Sequence, residues 1–297
     1  MMPLSEHIPN ALTVDVEDYF HVSAFSDRVC RSTWDDHECR VEANTDRLLS
    51  LFDTHQVRGT FFILGWVAER YPELVKRIAT AGHEIASHGY WHQLVYELTP
   101  EAFAKDINDS RDAIANACGI EVTAYRAPSF SITEKSLWAL DVLAENGFTV
   151  DSSIFPISGH DRYGMPDAQK EIHDLTTAHG TICEFPPSAW TKGRMSIPIG
   201  GGYFRLFPLS LTLKAIKAVR REGRPAMFYI HPWEIDPQQP RVKRVPVKSK
   251  FRHYVNVGKT ERRLGRMLDR VPFGRMDHVI ESVRTRRVAT SPLDAVS

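Results

Sequence analysis

Apolar residues along this chain fall into short runs, and between the runs they recur at helical spacing. The stretch 11–16 predicts a first strand. Residues 44–56 then predict a helix, with Leu48, Leu49, Leu51 and Phe52 giving it an apolar face. A dense apolar run predicts a strand at 59–64. Pro72 and Gly82 bracket a helix over 72–81, and a short strand follows at 83–87. Residues 99–118 predict a long helix with Thr99 as N-cap, Pro100 in the first turn and Gly119 as C-cap. Strands at 122–126, 148–151, 181–185 and 226–230, with helices at 133–145 and 209–221, continue the alternation. After about Pro237 the strand pattern stops. Beyond it, 260–271 predicts a basic amphipathic helix with Leu264, Met267, Leu268 and Val271 on one face.

Repeated β-then-α units predict an α/β fold, a mostly parallel sheet covered by helices. With seven or eight strands the expectation is a distorted (β/α) barrel, and an open doubly wound sheet is the alternative. The pattern divides the chain into a barrel at 1–240 and a basic helical extension at 241–297, packed on or beside it.

Composition narrows the class. With 42% hydrophobic and 25% charged residues among 297, the chain is neither wholly disordered nor fibrous. The net charge of zero hides a split: 22 Lys/Arg and 32 Asp/Glu in 1–240, against 15 and 5 in 241–297. No run of apolar residues is long enough to span a bilayer. The first ten residues carry Glu6, no Lys or Arg and no apolar core, so no secretory signal is expected and a cytoplasmic location is. The four cysteines form no C-x-x-C pair, which predicts neither a zinc knuckle nor a disulfide framework. The Lys/Arg of the extension are spread over 57 residues with no recognised nucleic-acid module, so no nucleic-acid partner is expected. Attraction of that region, including Arg262, Arg263 and Arg266, to anionic head groups predicts a peripheral contact at the inner membrane.

The ionisable residues change the picture most. Asp15, Glu17 and Asp18 finish the first predicted strand, His88 and His92 follow the third, and Arg126, Asp151 and His231 end later ones. In a parallel barrel these strand ends converge on one mouth. His88 and His92, four apart, suit a shared metal, and an acidic third ligand would leave positions open for water and substrate. Three acids beside an apolar strand are costly to gather without positive charge, which a metal and Arg126 would supply. Strand geometry alone leaves both Glu17 and Asp18 open as the acidic ligand.

The ordered motifs resemble those of the polysaccharide deacetylases with a NodB-homology domain, carbohydrate esterase family four. LTVDVED at 12–18, SHGYWH at 87–92, RAPS at 126–129, DSS at 151–153 and YIHPWE at 229–234 are similar to its five motifs in order. The longer strings VDVEDYFHV, FPPSAW, GGGYFRLFP and FYIHPWEID resemble a subgroup encoded with exopolysaccharide and exosortase gene clusters. The usual first motif has two adjacent Asp residues before Gly, whereas here Val16 and Glu17 separate Asp15 from Asp18 and Tyr19 replaces the Gly.

The resemblance implies hydrolytic removal of acetyl from an N-acetylated glycan, with a divalent metal, most simply Zn²⁺. It implies Asp15 as base, held by Arg126, and His231 as acid, oriented by Asp151. It implies His88, His92 and either Glu17 or Asp18 as metal ligands, and Ser129, Trp91 and Trp233 at the substrate. A cyclic-amide hydrolase related to allantoinase, or a non-catalytic glycan-binding protein, are the competing expectations.

Overall fold

The computed structural model describes residues 8–158, 163–193 and 195–290. Eleven strands and ten α-helices are present among them. The strands are β1 (Asn10–Val16), β2 (Thr60–Ile63), β3 (Glu84–Ser87), β4 (Ala124–Tyr125), β5 (Val150–Asp151), β6 (His173–Thr177), β7 (Gly180–Glu184), β8 (Ala189–Lys192), β9 (Met195–Pro198), β10 (Met227–Ile230) and β11 (Phe273–Gly274). The helices are α1 (Val41–Thr54), α2 (Gly65–Arg70), α3 (Pro72–Thr80), α4 (Pro100–Cys118), α5 (Trp138–Glu145), α6 (Gly201–Leu206), α7 (Leu209–Arg221), α8 (Val247–Tyr254), α9 (Val257–Leu268) and α10 (Met276–Thr290).

The main sheet runs β10-β1-β2-β3-β4-β5-β7-β6, all parallel except the β6–β7 pair. It is a distorted (β/α) barrel whose ladder is open between the β7 side and β10. Side chains bridge that seam. Met227 N donates to Ser188 Oγ (2.9 Å), and Arg126 Nη2 and Ser152 Oγ donate to Met227 Sδ (2.9 and 3.2 Å).

Local sequence accounts for the best-predicted elements. Thr99 Oγ1 accepts from Ala102 N (3.2 Å) to start α4, and Gly119, at φ 74°, ends it. The strands expected at 122–126 and 148–151 shrink to two-residue ladders. Their flanks stay extended, because Arg126 N donates to Ser87 O and Val150 N to Thr123 O. The helix expected at 133–145 begins as a 3₁₀ turn under a Thr133–Ser136 capping box, then becomes α5.

Residues 241–290 share the barrel's cores. Leu264, Met267 and Leu268 of α9 join the cluster around α1 and β1. Met276, Val279, Ile280 and Val283 of α10 pack under Ala11, Phe62, Ala86, Ala124, Cys183 and Met227, which line the barrel interior. β11 adds to β1 in parallel, pairing Phe273 with Asn10.

Candidate active site

β1 ends at Val16, and the backbone turns at once: Glu17 N donates to Asp15 O (3.0 Å). That turn sends Asp15, Glu17 and Asp18 in different directions. Glu17 meets the histidines after β3. Its Oε2 lies 2.5 Å from His92 Nε2, and one ligand atom from each of Glu17, His88 and His92 lies within 4.8 Å of the others. His88 Nδ1 bonds Arg126 O (2.8 Å), which leaves Nε2 for a ligand position. Burial holds His88 down at about 4, so the imidazole is neutral near pH 7, as a metal ligand must be. Burial alone would raise Glu17, but the imidazoles of His92, His231 and His88 outweigh it and hold the carboxyl well below its usual range.

The trio fits a divalent cation. Buried Glu17 Oε2 has as its close neighbour only another candidate ligand atom, His92 Nε2, and a cation between them would satisfy both. Two imidazole nitrogens and one carboxylate oxygen are the donor set of a borderline cation with open positions. Trp233 Nε1 donates to Glu17 Oε1 (3.0 Å), fixing the carboxylate so that its other oxygen faces the histidines. Asp106 holds the histidine loop by accepting from Tyr90 N (2.9 Å) and Trp91 N (3.0 Å).

Two further groups flank the trio. Arg126, fully buried, donates through Nη1 to Asp15 Oδ1 (2.6 Å) and Thr13 Oγ1 (2.8 Å). His231 directly follows β10, with Nε2 3.8 Å from Asp15 Oδ2 and 3.7 Å from Glu17 Oε1. Its Nδ1 lies 2.9 Å from Glu234 Oε2, which also accepts from His231 N (3.0 Å). Arg205 Nε donates to Glu234 Oε1 (2.6 Å), and Arg205 Nη1 donates onward to His253 O. Burial pulls His231 down, but Glu17, Glu234 and Asp15 outweigh it and push the imidazole up to about 9. The arrangement thus sets a carboxylate, a cation site and an imidazolium around one point.

Two family models match the chain. One, polysaccharide deacetylase, covers residues 23–150; the other, a domain of unknown function (DUF3473), covers 152–281. The chain carries a polysaccharide deacetylase family domain joined to a DUF3473 domain. It is 28% identical over 120 residues to a peptidoglycan-N-acetylglucosamine deacetylase of Bacillus cereus, covering 36% of this chain and 44% of the relative. It is 30% identical over 102 residues to a chitooligosaccharide deacetylase of Rhizobium leguminosarum bv. trifolii, covering 34% and 45%. The chain thus spans less than half the length of these curated relatives. A Mycobacterium smegmatis crystal structure, itself only provisionally assigned as a polysaccharide deacetylase, superposes with a TM-score of 0.64 at 21% identity. It covers 97% of this chain and 95% of the other, so the shared fold includes the C-terminal segment.

The structure departs from the sequence expectations at three residues. Asp18 does not reach the metal trio. Its Oδ2 accepts from Val41 N (2.7 Å) and Arg40 N (2.5 Å), capping α1, and its Oδ1 accepts from Tyr19 N (2.8 Å). Asp151 does not orient His231. Its Oδ1 accepts from Ser153 Oγ (2.6 Å) and its Oδ2 from Ser153 N (3.2 Å), with Glu184 its partner position across the β5–β7 pair. Trp233 is no open sugar platform. It is 5% exposed, between His231 (ring centroids 5.2 Å) and His253 (4.1 Å).

The remaining expected residues lie near the mouth. Ser129 stands at φ 53° with its hydroxyl 2.9 Å from Ser23 Oγ. Trp91 is half-buried and lines a groove of about 620 Å³ between α2 and α4. Gly200, at φ 142°, bridges to Tyr229; a Cβ there would stand 2.4 Å from Tyr229 O. Glu234, Arg205 and Trp233's bond to Glu17 were not anticipated. The HPWE string carried a signal for Glu234, because a residue three after a helix-starting His reaches back to it.

Proposed function

We propose that this chain is a metal-dependent N-deacetylase of an amino-sugar glycan. The observation that carries the reading is the Glu17–His88–His92 trio with Asp15–Arg126 on one side and His231–Glu234 on the other. The named relatives act on peptidoglycan and chitooligosaccharides, which supports an N-acetylated glycan as substrate. An exopolysaccharide is the finer reading, carried by the motif strings alone.

A divalent cation on Glu17, His88 and His92, most simply Zn²⁺, would supply a water of lowered pKa and polarise the amide oxygen. Asp15, steered by Arg126, takes the proton from the attacking water. His231 gives its Nε2 proton to the departing nitrogen, which leaves as an amine. Glu234 accepts from Nδ1 and keeps the imidazole turned toward the site while favouring its cation. The backbone N–H of Ser129 is the candidate donor to the developing oxyanion. The basic C-terminal segment meets a membrane surface in this reading.

Acetate release from N-acetylated glycans by the Zn²⁺-loaded chain tests the proposal, with allantoin as a cyclic-amide control. His231→Ala should retain metal and lose turnover. Silence across chitooligosaccharides and peptidoglycan fragments with metal bound, or normal turnover in His231→Ala, overturns it.

A further inference from the structure

Helix α8 is anchored on one side and bare on the other. His253 at its end is buried and stacked on Trp233, and Tyr254 packs near Phe25 (6.5 Å). On the outer side Val247 is 84% exposed and Phe251 59%. A spacing of four places these two side chains together, one turn apart. Lys248 and Lys250 flank the pair, and Lys243 and Arg244 precede it, all exposed. Between Asp236 and Glu261 the chain carries seven Lys/Arg and no acidic residue.

Helix α9 differs, although the extension's amphipathic pattern lies there. Its apolar residues face inward, and Arg263 Nη1 donates to Arg205 O (2.9 Å). Glu261 pairs with Arg47 (2.5 Å), and Asp269 with His55 (2.9 Å), so its surface is of mixed charge.

We propose that the outer face of α8 docks on an anionic lipid bilayer, with Val247 and Phe251 entering the head-group boundary and the four flanking cations on the phosphates. This rests on the reading of the C-terminal segment as membrane-facing and gives it a definite surface. A protruding apolar pair ringed by cations matches an interfacial helix. A partner protein would instead need a groove or flat patch to fill. The His253–Trp233–His231 stack ties the inner side of α8 to the acid side of the active site, so docking through the outer side holds the catalytic body at the lipid surface.

Sedimentation of the full chain with vesicles of 3:1 phosphatidylcholine:phosphatidylglycerol, and with phosphatidylcholine alone, tests the proposal. Binding to the anionic vesicles only, weakened by salt, is expected. Each cation near such a surface is worth roughly five-fold in partition, so Lys248→Glu/Lys250→Glu should lose at least about 25-fold. Val247→Ser/Phe251→Ser should lose about ten-fold or more. No binding to anionic vesicles overturns the proposal. So does full binding by Val247→Ser/Phe251→Ser, which would mark a general polyanion attraction. Acetate release from a soluble chitooligosaccharide should be unchanged in both variants. Its absence from the wild type, with vesicle binding intact, would sink the deacetylase reading and leave the docking face standing.

Discussion

Glu234→Gln isolates the support of the acid. Glu234, itself buried, accepts two partly buried hydrogen bonds from His231 through Oε2. A hydrogen bond to a charged group contributes about 1.5–3 kcal/mol. Losing it lowers the affinity of His231 for its second proton by one to two pH units, at about 1.4 kcal/mol each. With a cation on Glu17, Glu234 carries a larger share of the charge that favours the imidazolium. The deficit in kcat should therefore be small at pH 6 and widen about 5–50-fold by pH 9, as the variant loses its proton first. The assay is acetate release across that range with bound metal quantified at each point. Arg205 loses its counter-charge in a buried setting, so a fall in stability is expected too, and thermal melts at each pH keep the two effects apart. An unchanged alkaline limb and unchanged kcat in Glu234→Gln would refute the assignment. A shift in that limb caused by Asp151→Asn instead would return the orienting role to Asp151.

Three further outcomes follow from the same geometry. Glu17→Gln should lose bound metal, whereas Asp18→Ala should retain it and lower stability by about 1–2 kcal/mol through the lost α1 cap, as metal analysis beside denaturant melts would read. His88→Ala and His92→Ala should each lose metal and acetate release together. Burial, with the nearby charge of Asp277, pushes Glu84 up to about 7, so the unfolded chain releases this proton first as pH rises. Stability should fall between about pH 4.5 and 7, and Glu84→Gln should gain roughly 2–3 kcal/mol on the wild type between pH 5 and 8 in urea titrations.

What the sequence revealed follows the range of the forces involved. The parallel strands and α4 were legible because period and caps are local, as Thr99 and Gly119 illustrate. Helix α10 could have been found, since Met276, Val279, Ile280 and Val283 repeat at helical spacing. Strand β6 offered only HDLTT, an edge with no apolar run, and it exists because β7 supplies the ladder. At the site, strand alternation could not separate Glu17 from Asp18. The partners that do so, Val41 N and His92, lie more than twenty residues away. Asp151 ended a strand at the right mouth, but a neighbouring strand brought Glu184 against it and Glu234 reached His231 first.

The pairing of Asn10 with Phe273 has a consequence for biosynthesis. β1 borders a strand that leaves the ribosome about 260 residues later, and the barrel floor is sealed by Met276–Val283. Ala11, Phe62 and Met227 therefore stay uncovered from below until Val283 has been made. At about 5–20 residues per second, that interval lasts on the order of ten seconds or more. Truncation within α10 should thus act first as a defect of nascent-chain solubility, read as lost soluble yield rather than as a changed turnover number.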